Sequence, residues 1–398
     1  MKIAVCVRAI QVGGASRRAV HLGRLFGEAG HDVALVVEQP STLPLTEEAQ
    51  GYTVVTLSQR PWESGIGLIY RTITFFRTQL FDIVFLVTGQ HFASAQRGVA
   101  CLPDQTAYVP IVCGDHEGVY GPVTQAADWW NVAVTISPLL RHTLASRLPH
   151  KPILCLTTGI PLPTADELAG RAGWSLPLRL LYVGRLEGKK SVLLLPAILS
   201  ACLSRELPVT LTIIGDGQDR APLEQACRAA GVAHLVTFCG MQPHAAVYRA
   251  MQSHHALIFT STYGEGLGQV LLEAQANGCV PIASRFTGIT DYAIADGDTG
   301  LLATVGNTDA FAAQIAALTV EERWQRYSRA GIERAHRLFS FAEMGRQYEE
   351  LVTNIGQGAY PLPTPRSQTA DRLPRFSRRD HLPRALLPLA ARLRRLFR

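Results

Sequence analysis

The feature that most constrains this chain is an alternation of short apolar runs with segments of helical spacing, laid out in two successive series. Lys2–Val7 opens the first series, and the turn Val12-Gly13-Gly14-Ala15-Ser16 follows it. Arg17–Ala29 then places Ala19, Leu22, Leu25, Phe26 and Ala29 at helical intervals, and Gly30 closes the helix before Asp32–Val37. Ile83–Val87, Val109–Cys113, Val132–Ile136 and Ile153–Leu156 continue the series. The second series runs through Leu178–Val183, Val209–Ile214, Leu235–Phe238, Ala256–Thr260 and Val280–Ala283, again with helical segments between. Strands joined through helices lie parallel, with both faces of the sheet covered. The expected fold class is α/β: two Rossmann-like parallel-sheet lobes facing across a central cleft, with ligands at the carboxyl ends of the strands.

This organisation sets expected boundaries. Residues 1–165 form the first lobe, 174–338 the second, 339–356 a C-terminal helix and 357–398 a basic tail. Gly159–Pro177, rich in Pro and Gly, reads as the linker between lobes, and Gln357–Pro383 as a flexible one. The chain has 398 residues, 47% of them hydrophobic, which is enough for two cores. No apolar run approaches the roughly 20 residues needed to cross a bilayer. The N-terminal run ends at Arg8 with no small-residue cleavage site, so it reads as a strand and not a signal peptide.

The net charge of +6 is unevenly placed. Residues 364–398 hold ten Arg and two Asp, a charge of +8, which leaves −2 on the rest. The body therefore offers no nucleic-acid footprint. The eight Cys include no C-x-x-C pair and mostly sit among apolar neighbours, as reduced thiols of a cytosolic protein do, and their spacing suits no zinc site.

Three segments of the second lobe carry chemistry. Gly184-Arg185-Leu186-Glu187-Gly188-Lys189-Lys190 follows a strand, and Arg185 and Lys190 can converge on one diphosphate, the first as a planar fork and the second as a point charge. Taken alone, a solvated basic loop has the same composition. Gly215-Asp216-Gly217 ends the next strand but lacks the third glycine of a dinucleotide fingerprint, so a tight turn accounts for it. Gly264-Glu265-Gly266-Leu267-Gly268 precedes an apolar helix whose first amides suit a phosphate, and Glu273 lies about two turns into that helix. A helix-capping carboxylate followed by a surface Glu would give the same pattern.

Together these segments resemble glycosyltransferase family four, retaining nucleotide-sugar enzymes of the GT-B fold. Val183-Gly184-Arg185-Leu186 with Lys190 resembles its G-R-L-x-x-x-K segment, and Glu265 to Glu273 its E-x₇-E motif, with Ala274, Gly278, Val280 and Pro281 in place. Asp296-Gly297 and Thr299-Gly300-Leu301-Leu302 match further on. The resemblance runs from Lys2 to about Ile355, loosely in the first lobe and closely in the second. It implies that Arg185 and Lys190 hold the donor diphosphate, Glu273 the ribose and Glu265 the sugar hydroxyls. Gly266, Leu267 and Gly268 would meet phosphate or sugar through their backbone, Met241 would lie near the base, and Gly14 would admit the diphosphate to the first lobe. His116, in Gly114-Asp115-His116-Glu117-Gly118, would lie near the donor sugar; a structural loop histidine is the plain alternative. The sequence departs from the family at Ser191, where Gly often follows the Lys, at Thr158-Gly159-Ile160-Pro161, and at Gln269.

The expected activity is transfer of a sugar from a nucleotide diphosphate donor to a glycan or lipid-linked acceptor, with retention, as in cell-envelope polysaccharide assembly. Basic side chains and helix-end amides neutralise the leaving diphosphate, so the reaction requires no metal or other cofactor in principle. Two facing α/β lobes also suit a nucleotide-sugar epimerase or a sugar phosphorylase, or a catalytically silent sensor. Asp296-Gly297-Asp298 reads as a turn and not a metal site, and His254 and His255 as structural. Trp62, Tyr120, Trp129 and Trp130 are acceptor candidates whose plainer role is packing. In Arg384–Arg398, Leu386, Leu389, Leu393 and Leu396 gather opposite Arg392, Arg394, Arg395 and Arg398, a pattern suited to an anionic membrane surface. The expected location is cytoplasmic, with peripheral contact on the inner face of the membrane.

Overall fold

The computed structural model describes residues 1–10, 14–39, 51–88, 102–262, 265–362 and 364–366. It divides into two compact units: residues 1–136, 140–156 and 345–398, and residues 137–139 and 157–344. The turn residues 11–13, Gly264 of the glycine-rich loop, and the amphipathic end of the tail lie outside the described residues.

The first unit is built on seven parallel strands: β1 (Lys2–Val7), β2 (Asp32–Val37), β3 (Thr53–Thr56), β4 (Ile83–Thr88), β5 (Ala107–Val112), β6 (Ala133–Thr135) and β7 (Ile153–Cys155), in the order β3-β2-β1-β4-β5-β6-β7. Strands β1, β4 and β5 are buried almost throughout, as expected of a sheet covered on both faces. The edge strand β3 is half-exposed and is not foreseen from sequence, because Thr-Val-Val-Thr has neither a continuous apolar run nor strict alternation.

The second unit repeats the plan with β8 (Leu178–Val183), β9 (Val209–Ile214), β10 (Val236–Gly240), β11 (Ala256–Phe259), β12 (Val280–Ser284) and β13 (Leu301–Ala303), in the order β10-β9-β8-β11-β12-β13. All are parallel. In both sheets the order reverses once, between β1 and β4 and between β8 and β11. At such a switch point the loops from adjacent strands leave in opposite directions and open a crevice at the strands' carboxyl ends. The second core packs Leu180, Ile213, Ile258 and Ile282 of this sheet with Leu199 and Phe311 from covering helices.

Two expected linkers are corrected. Gly159–Pro177 is packed structure within the second unit. Ile160 N–H donates to the Phe339 carbonyl at 2.9 Å. A Cβ at Gly159 would stand 2.6 Å from the Phe341 ring, and Thr164 and Glu167 form a reciprocal cap on the helix Ala165–Ala169. The boundary accordingly falls at 156/157 and not at 165. The start of the tail is also docked, on the first unit. Asn131 Nδ2 donates to the Tyr360 carbonyl at 2.9 Å. Arg366 is fully buried, and its guanidinium donates to the carbonyls of Pro103, Thr106 and Trp129 and to Asn131 Oδ1. The C-terminal helix runs Phe341–Gly356, starting two residues later than expected, and its residues from Gly345 onward count with the first unit.

Of the four aromatic acceptor candidates, Tyr120, Trp129 and Trp130 are buried in the first core, whereas Trp62 is 75% exposed. Seven of the eight cysteines are described and free; Cys6, Cys202, Cys227 and Cys279 are buried, and Cys239 is exposed. Asp296 and Gly300 bridge across the turn that leads into β13, and no cluster of metal ligands occurs among the described residues. No helix among them is long and apolar enough to cross a membrane.

Candidate functional site

The second unit's switch point brings together the two segments singled out in sequence. Residues 184–190 leave the carboxyl end of β8, and residues 260–268 leave that of β11, its sheet neighbour. Lys190 Nζ reaches Glu265 Oε1 at 2.5 Å, and both side chains are largely shielded, 23% and 13% exposed. Ser261 Oγ donates to the same carboxylate oxygen at 2.7 Å. Thr260 Oγ1 donates to the Lys190 carbonyl at 2.8 Å, and the hydroxyls of Ser191 and Thr262 lie 2.7 Å apart. In an extended segment successive side chains alternate, so Thr260 and Thr262 face the basic turn while Ser261 serves Glu265. A charged pair at this separation and burial is held far more firmly than a surface pair.

Arg185 takes a different partner. It is 62% exposed and forks onto Glu187, with contacts of 3.0 and 2.9 Å. Its carbonyl accepts from the buried Tyr182 hydroxyl at 3.2 Å. Burial, with Glu265 and Glu187 nearby, pushes the Tyr182 phenol well above its ordinary value, so it serves as a neutral donor. The basic turn is thus shielded only in part: Leu186 is buried and Lys190 largely covered, while Arg185, Gly188 and Lys189 are exposed. Arg185 and Lys190 are each matched by a carboxylate.

The turn owes its position to glycine. A Cβ at Gly215 would stand 1.9 Å from the Gly184 carbonyl oxygen, and one at Gly217 would stand 2.3 Å from that of Leu186. Gly184 N–H donates to the Ile214 carbonyl and Leu186 N–H to that of Asp216, which continues the pairing of β8 and β9 past their ends. Gly215-Asp216-Gly217 is therefore the close backbone approach that supports the basic turn. Asp216 caps the Gly217 N–H and pairs with Arg220, and both contacts, the backbone one first, hold its carboxyl below the usual range.

The acidic pair is neither a cap nor a surface residue. Gly268, in the left-handed conformation at φ 77°, occupies the N-cap of the helix Gln269–Ala276. Leu267 is buried beneath the loop. Glu273 is 4% exposed within that helix, a burial a solvent-facing Glu does not reach. Met241 follows Gly240 after β10 and is 54% exposed. Lys190 and Glu265 are brought into direct contact; Arg185, Glu273 and Met241 lie on the same unit. Residues missed in the sequence are Thr260, Ser261, Thr262, Glu187 and Tyr182. The Thr-Ser-Thr run directly after an apolar strand was the available signal.

Two expected site residues belong to the first unit. Gly14 is exposed and opens the helix Gly14–Glu28 after β1. His116 is exposed at the N-cap of the helix Glu117–Gln125 after β5, and its ring packs over Gly114. Next to it, Tyr120 donates to Asp115 at 2.9 Å. His254 and His255 are structural, as expected: Nδ1 of the buried His255 accepts the Arg179 backbone N–H at 2.9 Å.

Residues 175–335 match the family described as Glycosyl transferases group 1. A glycogen synthase of Mycobacterium tuberculosis is 26% identical over 365 residues, which cover 82% of this chain and 87% of that one. A phosphatidyl-myo-inositol mannosyltransferase of Mycolicibacterium smegmatis is 33% identical over 159 residues, 39% of this chain and 40% of that one. Among solved structures, Anabaena HepE in complex with UDP and glucose superposes with a TM-score of 0.74 at 16% identity, over 89% of this chain and all of that one. A sucrose-phosphate synthase from Thermosynechococcus elongatus gives 0.74 at 17% identity, over 90% and 99% of the two chains. Two parallel-sheet units with these neighbours make the fold GT-B, and the match to the group 1 glycosyl transferases falls on the second unit.

Proposed function

We propose that the chain is a retaining glycosyltransferase of family four, moving a hexose from a nucleotide diphosphate sugar to a glycan or lipid-linked acceptor in cell-envelope polysaccharide assembly. The observation that carries this reading is the shielded Lys190–Glu265 pair at the second unit's switch point. A diphosphate entering there takes the Lys190 ammonium, and Glu265, still held by Ser261, is left to accept hydrogen bonds from sugar hydroxyls. Arg185 is freed from Glu187 to add a second cation. Charge gathers on the diphosphate as the glycosidic bond breaks, so these cations and the amides at Gly266–Gly268 are worth more in the transition state than in the ground state. No metal is needed for that neutralisation.

Glu273 is assigned to the ribose and Met241 to the surroundings of the base. Gly14 and His116, carried by the first unit, take their roles from the resemblance. Relatives named as a synthase and a mannosyltransferase favour transfer, and the epimerase and phosphorylase readings gain no support. The basic end of the tail is assigned to an anionic membrane at the cytoplasmic face, where a lipid-linked acceptor resides. The test is a panel of nucleotide sugars incubated with the protein, following release of the nucleoside diphosphate. Release from one donor, enhanced by an acceptor, is expected. Silence across the panel, or epimerised sugar without release, would remove the assignment.

A further inference from the structure

The basic turn contains a conformational oddity. Ser191 ends the turn Gly188–Lys190 at φ 49°, ψ 41°, in the left-handed region. Only Leu80 and Glu206 share a positive φ among the described non-glycine residues. That conformation is unfavourable for a residue with a Cβ and natural for glycine. Strain kept at a site directs attention to what the side chain does there. The Ser191 hydroxyl lies 2.7 Å from Thr262 Oγ1, on the loop that leads to Glu265. The adjacent Lys190 carbonyl is held from the same loop by Thr260. Two hydroxyl contacts, from adjacent residues on one side and residues two apart on the other, thus join the loop after β8 to the loop after β11.

We infer that the Ser191–Thr262 hydroxyl contact is a positioning device for Lys190, which fixes the backbone of the basic turn against the glycine-rich loop so that its ammonium meets a donor diphosphate at a set point. The inference rests on the donor-site reading above. Anion arrival costs Lys190 its contact with Glu265, so the lysine side chain has to move. With residues 190 and 191 tied to Thr260 and Thr262, only the side chain moves, and the turn stays ordered before and after binding. Untied, the turn would have to be ordered by the ligand, and affinity would fall. Glycine at position 191 would satisfy the backbone and lose the tie.

The test is equilibrium binding of UDP, with GDP and ADP tried in turn, to the full chain and to Ser191→Gly, Ser191→Ala, Thr262→Val, Thr262→Ser and the Ser191→Ala/Thr262→Val double variant. Each variant lacking a hydroxyl should bind about five- to tenfold more weakly, and the double variant no more weakly than either single one, since one contact is removed once. Thr262→Ser, which keeps the hydroxyl, should bind within about twofold of the parent. Ser191→Gly should bind weakly without losing thermal stability, because it relieves the left-handed backbone. Ser191→Gly binding like the parent, Thr262→Ser binding as weakly as Thr262→Val, or additive losses in the double variant would overturn the inference while leaving the donor reading intact. Failure of the parent chain to bind any of the three nucleotides would overturn both.

Discussion

His255 illustrates how far a single side chain can couple fold to solution conditions. Its Nδ1 accepts a backbone N–H, which requires a neutral ring, and Trp324 stands edge-on to it at 5.5 Å. Burial, with the Arg179 charge beside it, pushes its pKa from 6.5 down to about 4. The unfolded chain therefore takes up a proton first as the pH falls. The contribution is complete above about 6.5 and is lost progressively towards pH 4, on the order of 3 kcal/mol in all. Urea unfolding at pH 7 and pH 4.5 should show this loss, and a His255→Asn variant should be less stable at pH 7 with a shallower pH slope. An unchanged slope would contradict the assignment. At this scale the candidate site was partly legible. Lys190, Glu265 and Glu273 are singled out by type, spacing and the family resemblance together, but their burial and pairing depend on which strands are neighbours. Ser191 stood out only as a departure, because a left-handed backbone leaves no mark in a sequence when the residue is not glycine.

At the scale of elements, strand–helix alternation identified the buried strands because a two-face-covered strand is apolar throughout. It missed β3, whose edge position leaves it half-exposed, and β13, which is buried but only three residues long. Pro and Gly misled at both linkers. Gly159 is small because Phe341 and Met344 crowd it, and the Pro-rich start of the tail is docked through Arg366. Composition reports how a segment would behave alone, and both segments are held by distant residues. The Arg366 guanidinium is buried among carbonyls, and that burial pushes its pKa from 12.5 down to about 10, so it remains charged near neutrality. Arg366→Met would remove the guanidinium's hydrogen bonds to the carbonyls of Pro103, Thr106 and Trp129. We expect a loss of roughly 3 kcal/mol, together with cleavage by trypsin between residue 357 and the end of the chain at lower protease concentration. Unchanged urea stability would show that the docked segment adds nothing to the first unit.

At the scale of the whole molecule, one plan is used twice: a parallel sheet with a single reversal of strand order. In the second sheet the loops at that reversal bear a paired cation and carboxylate, Lys190 and Glu265. The GT-B fold follows from the two sheets, whereas the donor assignment depends on what Lys190 and Arg185 do when an anion arrives. Calorimetric titration of nucleoside diphosphates into the full chain and into Lys190→Ala and Arg185→Ala tests that most directly. One diphosphate should bind the parent chain with an affinity that falls as salt rises. Lys190→Ala should lose about 2 kcal/mol or more, a factor of roughly 30, and Arg185→Ala less, since its side chain is more exposed. Equal binding by all three proteins, or binding by none, would contradict the account.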